Sequence, residues 1–171
     1  MKILFGPAAA ILVAACQSVP QEPARATAAL QPTKGSKAFG EATFEEVDGK
    51  LRVIVFAQGL VPEREHGFHI HEAGDCSSGD GMSAKGHFNP HGKPHGNPSS
   101  GERHAGDLPS LKADKGGRAK LDVTVDQLTI REGAASVVGR GLIVHADPDD
   151  YKTQPTGNAG ARLACGVIKP G

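Results

Sequence analysis

Residues Ala38 to Phe56 read AFGEATFEEVDGKLRVIVF, two runs of largely alternating apolar and polar side chains around Asp48-Gly49. Period-two alternation marks a strand with one buried face, and an Asp-Gly pair accepts the positive φ angles of a two-residue hairpin turn. The stretch therefore predicts paired strands at Ala38–Val47 and Leu51–Phe56. Working outward, His66–His71, Leu121–Val125, Val137–His145 and Ala161–Ile168 carry the same signature between glycine-rich turns. No segment has a 3.6-residue apolar pattern of helix length, so the chain reads as all-β, a sandwich or barrel. With no tryptophan and 1 tyrosine, its core must be built from Val, Ile, Leu, Ala and Phe.

Lys2 precedes an apolar stretch, Ile3 to Val13, too short to span a bilayer, and residues 1–15 read as a secretory signal. The stretch ends in Val13-Ala14-Ala15-Cys16, which resembles the bacterial lipobox, whose cysteine is lipidated and begins the mature chain. An ordinary cleaved signal with an Ala-x-Ala-type site is the alternative. Gln17, where an aspartate would favour inner-membrane retention, points to the outer membrane. The expected location is the periplasmic side of a bacterial cell envelope, with membrane contact through a lipid anchor on Cys16. Residues 16–35, rich in Pro, Ala, Gln and Thr, are expected to be a flexible tether, and residues 36–171 one domain with one core. Lys plus Arg and Asp plus Glu both number 19, so no basic surface announces nucleic acid and any electrostatic function must be local. With Cys16 set aside, Cys76 and Cys165 form an even pair in an oxidising compartment, which predicts a disulfide.

The histidines carry the chemistry. His69 and His71 stand at i and i+2 of a predicted strand, so both rings share one face. Seven of the 8 histidines fall between His66 and His104, and the last, His145, ends the apolar run Gly141–His145. The segment Glu72 to Leu111 is long, glycine-rich and without apolar periodicity, which is uncommon in a compact domain unless the loop is functional. Cys76 could staple its start. His87, His95, His104 and Asp107 could bind a cation within it. Three imidazoles and a carboxylate suit a closed, four-coordinate zinc site, whose binding energy would serve as folding energy for the loop.

Five segments together resemble the Cu,Zn superoxide dismutase family across the whole folded domain. They are Gly67-Phe68-His69-Ile70-His71-Glu72, Gly86-His87-Phe88-Asn89-Pro90, His104-Ala105-Gly106-Asp107-Leu108, Val144-His145 and the stretch from Gly157 to Ile168. By position, the resemblance implies copper ligands His69, His71, His87 and His145, and zinc ligands His87, His95, His104 and Asp107, with His87 bridging. It makes Arg162 the active-site arginine, a forked and permanently charged group suited to docking a small anion. It makes Asp149 the aspartate linking a copper histidine to a zinc histidine, with Asp147 and Asp150 as competing positions. It leaves His66 and His91 without a metal role.

The fold implied is an eight-stranded Greek-key β-barrel or sandwich with long metal-binding and active-site loops. The two strands absent from the six above are then expected near Leu111–Lys112 and Asp126–Ile130. The activity implied is conversion of superoxide to oxygen and hydrogen peroxide by copper cycling between Cu(II) and Cu(I), with His87 taking up and passing on a proton. A non-enzymatic periplasmic copper and zinc buffer is the alternative; a copper-only relative would lack His95, His104 and Asp107. The four residues between His71 and Cys76 and the short stretch from His145 to Arg162 resemble the bacterial branch. That branch leaves the assembly open between monomer and homodimer, and steering open to Lys152 or Lys93.

Overall fold

Nine strands follow one another in this computed structural model, which describes residues 24–171: β1 (Arg25–Pro32), β2 (Phe39–Val47), β3 (Lys50–Gln58), β4 (Glu65–His71), β5 (Asp107–Lys112), β6 (Ala119–Val125), β7 (Gly141–His145), β8 (Arg162–Val167) and the two-residue β9 (Lys169–Pro170). β2 and β3 pair in unbroken register from Phe39↔Gln58 to Val47↔Lys50. Asp48 at φ 50° and Gly49 at φ 74° turn the chain between them. Positive φ at both central residues gives the turn whose twist matches its flanking strands.

Every pairing is antiparallel, in the order β5-β4-β7-β8-β1-β2-β3-β6, with the short β9 beside β1. The end strands β5 and β6 come together, so the sheet curls into a nearly closed barrel of eight strands. Around it the chain steps from β3 past β6 and β5 to reach β4, and from β6 past β5 and β4 to reach β7. These are Greek-key crossings. The inward faces of the strands fill the barrel: Leu30, Phe44, Leu51, Val53, Phe68, Ile70, Leu108, Leu111, Leu142 and Val144 are fully buried.

β1 corrects the expectation of a tether over residues 16–35. Ala26, Ala28 and Leu30 alternate inward at 0, 3 and 0 % exposure, and the strand is hydrogen-bonded to β2 along one edge and to β8 along the other. Alanine buries little area, so composition understates a strand whose small side chains suit a crowded interior. Residues 1–23, with the predicted signal and Cys16, lie outside the described residues.

β1 is also the eighth barrel strand, which corrects the placement at Asp126–Ile130. There only Thr129 makes an isolated bridge, to Ser136. The segment's polar groups go instead to one carboxylate: Glu46 accepts from Thr129 Oγ1, from Ile130 N at 3.2 Å and from Arg131 Nε at 2.9 Å. The strand expected near Leu111–Lys112 is present as β5, whereas Val137–Arg140 joins no strand and β7 begins at Gly141. Outside the strands, the described residues hold one 3-10 turn, Met82–Ala84.

Leu30→Ala tests whether β1 belongs to the fold. It should lower the free energy of unfolding by about 2–4 kcal/mol, read from chemical denaturation. A change below about 0.5 kcal/mol, the range of surface substitutions, would put residues 25–32 outside the cooperative unit.

Candidate metal centre

β4 is buried on both faces. Phe68 and Ile70 point into the barrel, so the pleat turns His69 and His71 outward, under the loops. His145 stands at the end of β7, which pairs with β4. The hydrogen-bond ladder of β4 continues into the long loop: Phe88 N donates to Ile70 O at 2.8 Å, Glu72 N to Gly86 O at 2.9 Å and Ile70 N to Gly106 O at 2.9 Å. His87 is thereby held against His71, and the segment carrying His104 and Asp107 against Phe88.

Two sets of ligand atoms result. His69, His71, His87 and His145 offer nitrogens within 4.8 Å of one another, as do His87, His95, His104 and Asp107, and all seven side chains are buried. His87 belongs to both sets. The structure thus brings together every residue that the sequence suggests as a ligand. It leaves out His91, which is exposed, and His66, which is fully buried elsewhere.

Hydrogen bonds show which ring atom each histidine has to spare. His71 Nδ1 donates to Lys85 O at 2.8 Å and His145 Nδ1 to Gly160 O at 3.3 Å; a carbonyl only accepts, so both Nε2 atoms keep their lone pairs. These two Nε2 atoms stand 3.3 Å apart. His69 Nε2 donates to Asp149 Oδ2 at 2.7 Å and His95 Nε2 to Asp149 Oδ1 at 2.9 Å, which frees both Nδ1 atoms. His87 Nδ1, His95 Nδ1 and His104 Nδ1 converge on Asp107 Oδ1 at 2.8, 3.0 and 3.4 Å.

Four buried nitrogens at these sets, His69 Nδ1, His87 Nε2, His95 Nδ1 and His104 Nδ1, have no hydrogen-bond partner. Each orphaned polar atom costs about 1–3 kcal/mol unless something binds it. The donor types fit two cations, an all-imidazole set suiting copper and three imidazoles with one carboxylate suiting zinc.

Electrostatics agree. Burial, reinforced by neighbouring histidines, pushes His71 and His145 well below the usual imidazole range, and burial takes His87 down to about 4. These rings are neutral and able to ligate at pH 7. Asp107 and Asp149 stay ionised because hydrogen bonds from histidines outweigh the burial that opposes ionisation. Burial lowers His95 too, yet the same two carboxylates raise it to about 9. A positive charge is favoured at that point, and a bound cation would replace the proton there.

Arg162 opens β8, half-buried. It donates through Nη1 to Gly81 O and through Nη2 to Lys85 O, each at 2.5 Å. Lys85 O therefore holds both the arginine and His71. The loop carrying these carbonyls is fastened by the Cys76–Cys165 disulfide, with Cα atoms 5.9 Å apart. Closing a loop of 89 residues contributes roughly 4–5 kcal/mol in the chain-entropy account.

Of the competing aspartates, Asp149 alone reaches the histidines: Asp150 accepts within its own loop from Lys152 N and Thr153 N, and Asp147 pairs with Arg64 at 3.5 Å. Lys93 is paired with Glu102 at 2.6 Å, whereas Lys152 is exposed.

Three supports were not read from the sequence. His66 Nδ1 donates to His145 O at 2.8 Å; its only sequence signal was its place in the histidine cluster. Gly157, at φ 64°, lies where a Cβ would stand 2.6 Å from His95 Nε2, so glycine lets the loop close over the Asp149–His95 bond. Gln154 hydrogen-bonds the main chain of His95, with no pattern in the sequence to announce it.

A family model described as copper/zinc superoxide dismutase (SODC) matches residues 38–168. A Cu-Zn superoxide dismutase 2 of Aquifex aeolicus (strain VF5) is 40% identical over 173 residues, covering 99% of this chain and 100% of the relative. A Cu-Zn superoxide dismutase of Paramecium bursaria Chlorella virus 1 is 43% identical over 154 residues, covering 86% of this chain and 79% of the relative. Among solved structures, the clock protein EA4 is similar at a TM-score of 0.78 and 39% identity, over 90% of this chain and 98% of that one. A double mutant of a SOD-like protein from Bacillus subtilis is similar at 0.77 and 36%, over 84% and 96%. A match across nearly the whole barrel, on a chain whose two ligand sets share His87, shows that this protein belongs to the copper/zinc superoxide dismutase family.

Proposed function

We propose that the protein disproportionates superoxide to oxygen and hydrogen peroxide, with copper held by His69, His71, His87 and His145 and zinc by His87, His95, His104 and Asp107. The observation that carries the reading is the pair of buried ligand sets joined at His87. When bound, copper supplies a one-electron redox couple and zinc a fixed positive charge. The balance is two superoxide anions and two protons in, one oxygen and one hydrogen peroxide out.

This chain's residues account for binding and protons. Arg162 is fixed by two carbonyls, one of which, Lys85 O, also takes His71 Nδ1, so its charge stands beside the first set and can draw a small anion toward it. His87 has Nδ1 against Asp107 and Nε2 unpartnered, so Nε2 is the atom that can hold a proton and pass it to the departing product while Asp107 keeps the ring in place. Asp149 fixes the rings of His69 and His95 together, which sets both ligand geometries at once. Storage of metal would need no anion-docking arginine.

We further propose that the chain is a lipoprotein anchored through Cys16 on the periplasmic side of the cell envelope, in the outer membrane. The lipobox-like Val13-Ala14-Ala15-Cys16 supports this, and a Cys76–Cys165 disulfide suits an oxidising compartment.

In the copper- and zinc-loaded protein, His69→Ala or His145→Ala should abolish copper-dependent dismutation while circular dichroism stays native. His104→Ala should instead lower zinc content and open the loop to protease. Turnover retained by His69→Ala would sink the copper assignment. Arg162→Glu should cut kcat/KM for superoxide on the order of ten- to a hundred-fold at low ionic strength with copper content unchanged, and wild-type rates there would remove the docking role. Cys16→Ala should abolish incorporation of labelled palmitate and release the protein from membranes; unchanged labelling would refute the anchor.

A further inference from the structure

His95 has the least regular support of any residue in the two ligand sets. No strand runs between residues 89 and 104, and Pro94 before it has no N–H to offer. Its ring must nonetheless be held between Asp107 and Asp149. Both polar groups of its main chain go to a single side chain from the loop that joins β7 to β8: His95 N donates to Gln154 Oε1 at 2.8 Å, and Gln154 Nε2 donates to His95 O at 2.8 Å. No backbone group among the described residues takes either place.

A carboxamide sets a donor and an acceptor side by side, as the edge of a strand does, and only Gln and Asn side chains carry one. Gln154 therefore gives His95 the pairing that a neighbouring strand would have given. Its Nε2 also donates to Lys152 O at 3.3 Å, which fixes the orientation of the amide. The same loop carries Asp149, whose Oδ1 takes His95 Nε2 at 2.9 Å. His95 is thus gripped at the ring and at the main chain by one segment, and only their combination fixes where Nδ1 points.

We infer that Gln154 is a positioning residue for the second ligand set: it locks the main chain of His95 so that Nδ1 faces the point shared with His87, His104 and Asp107. This inference rests on the two-metal reading above. Glutamate at this position would still accept from His95 N but would set a negative charge against His95 O. Leucine, of similar size, would pair with neither. Because Gln154 is exposed, its hydrogen bonds add little to the stability of the barrel. Their effect should appear in retention of the ion.

The test compares wild type, Gln154→Leu, Gln154→Glu and the neighbouring control Lys152→Ala, all loaded with copper and zinc. Zinc release to a chromophoric chelator and the visible absorption of cobalt(II) placed in the zinc set are the readouts, alongside the copper EPR spectrum and the melting temperature of the metal-free protein. Both Gln154 variants should release zinc about ten-fold faster and show an altered cobalt band, while copper EPR, metal-free melting and Lys152→Ala match wild type. Zinc release within about two-fold of wild type and an unchanged cobalt band in both variants would overturn the inference. So would a fall in metal-free melting that accounts for the loss, since Gln154 would then be a general support of the loop. A wild-type protein that takes up no zinc overturns the two-metal reading itself, and this inference with it.

Discussion

Strand β4 has no face left for water, and the rest of the molecule is arranged around that fact. One face carries Phe68 and Ile70 into the barrel; the other carries His69 and His71. Apolar side chains gain from burial without needing partners, but a buried imidazole must have both nitrogens accounted for. The loops over β4 meet half of that demand. Lys85 O and Gly160 O take one nitrogen each from His71 and His145, and Asp149 takes one from His69. The nitrogens that remain face inward toward common points, which is how a requirement of burial becomes a ligand set.

Charge is shared as economically as hydrogen bonding. Asp107 faces His87, His95 and His104, and Asp149 joins His69 to His95, so two carboxylates organise four imidazoles. Both stay ionised, and together they raise His95 to about 9 even though burial opposes it. A site that favours a proton this strongly favours a metal cation in its place. The first set, with His71 and His145 held neutral, offers lone pairs instead. Arg162 shares Lys85 O with His71, so the guanidinium and a member of the first set rest on the same carbonyl.

Much of this was legible in the chain. Leu51 to Phe56 is so rich in β-branched and large apolar side chains, and Asp48-Gly49 so specific a turn, that the β2–β3 hairpin follows from local sequence. The seven residues of the two sets were identifiable because metal chemistry restricts residue types, and because the motifs around them resemble a known family. β1 was not legible, since Ala26 and Ala28 carry its buried face and alanine is a weak signal of a strand. Nor was the end of β6 onward, where the carboxylate of Glu46 takes the place of a ladder.

The sequence by itself determined the all-β class, the hairpin, the disulfide partners and the residues able to hold metal, because each depends on side-chain type, on short-range periodicity or on the one pairing left once Cys16 is set aside. Only the tertiary structure decided which ring nitrogen each histidine spends on the protein, that Asp149 rather than Asp147 or Asp150 reaches the histidines, that Gly157 makes room for it, and that Gln154 replaces a missing strand beside His95. Those partners lie 54 to 80 residues apart for Asp149 and 59 for Gln154. A hydrogen bond acts over about 3 Å, so such pairings exist only after the barrel has brought the two loops together.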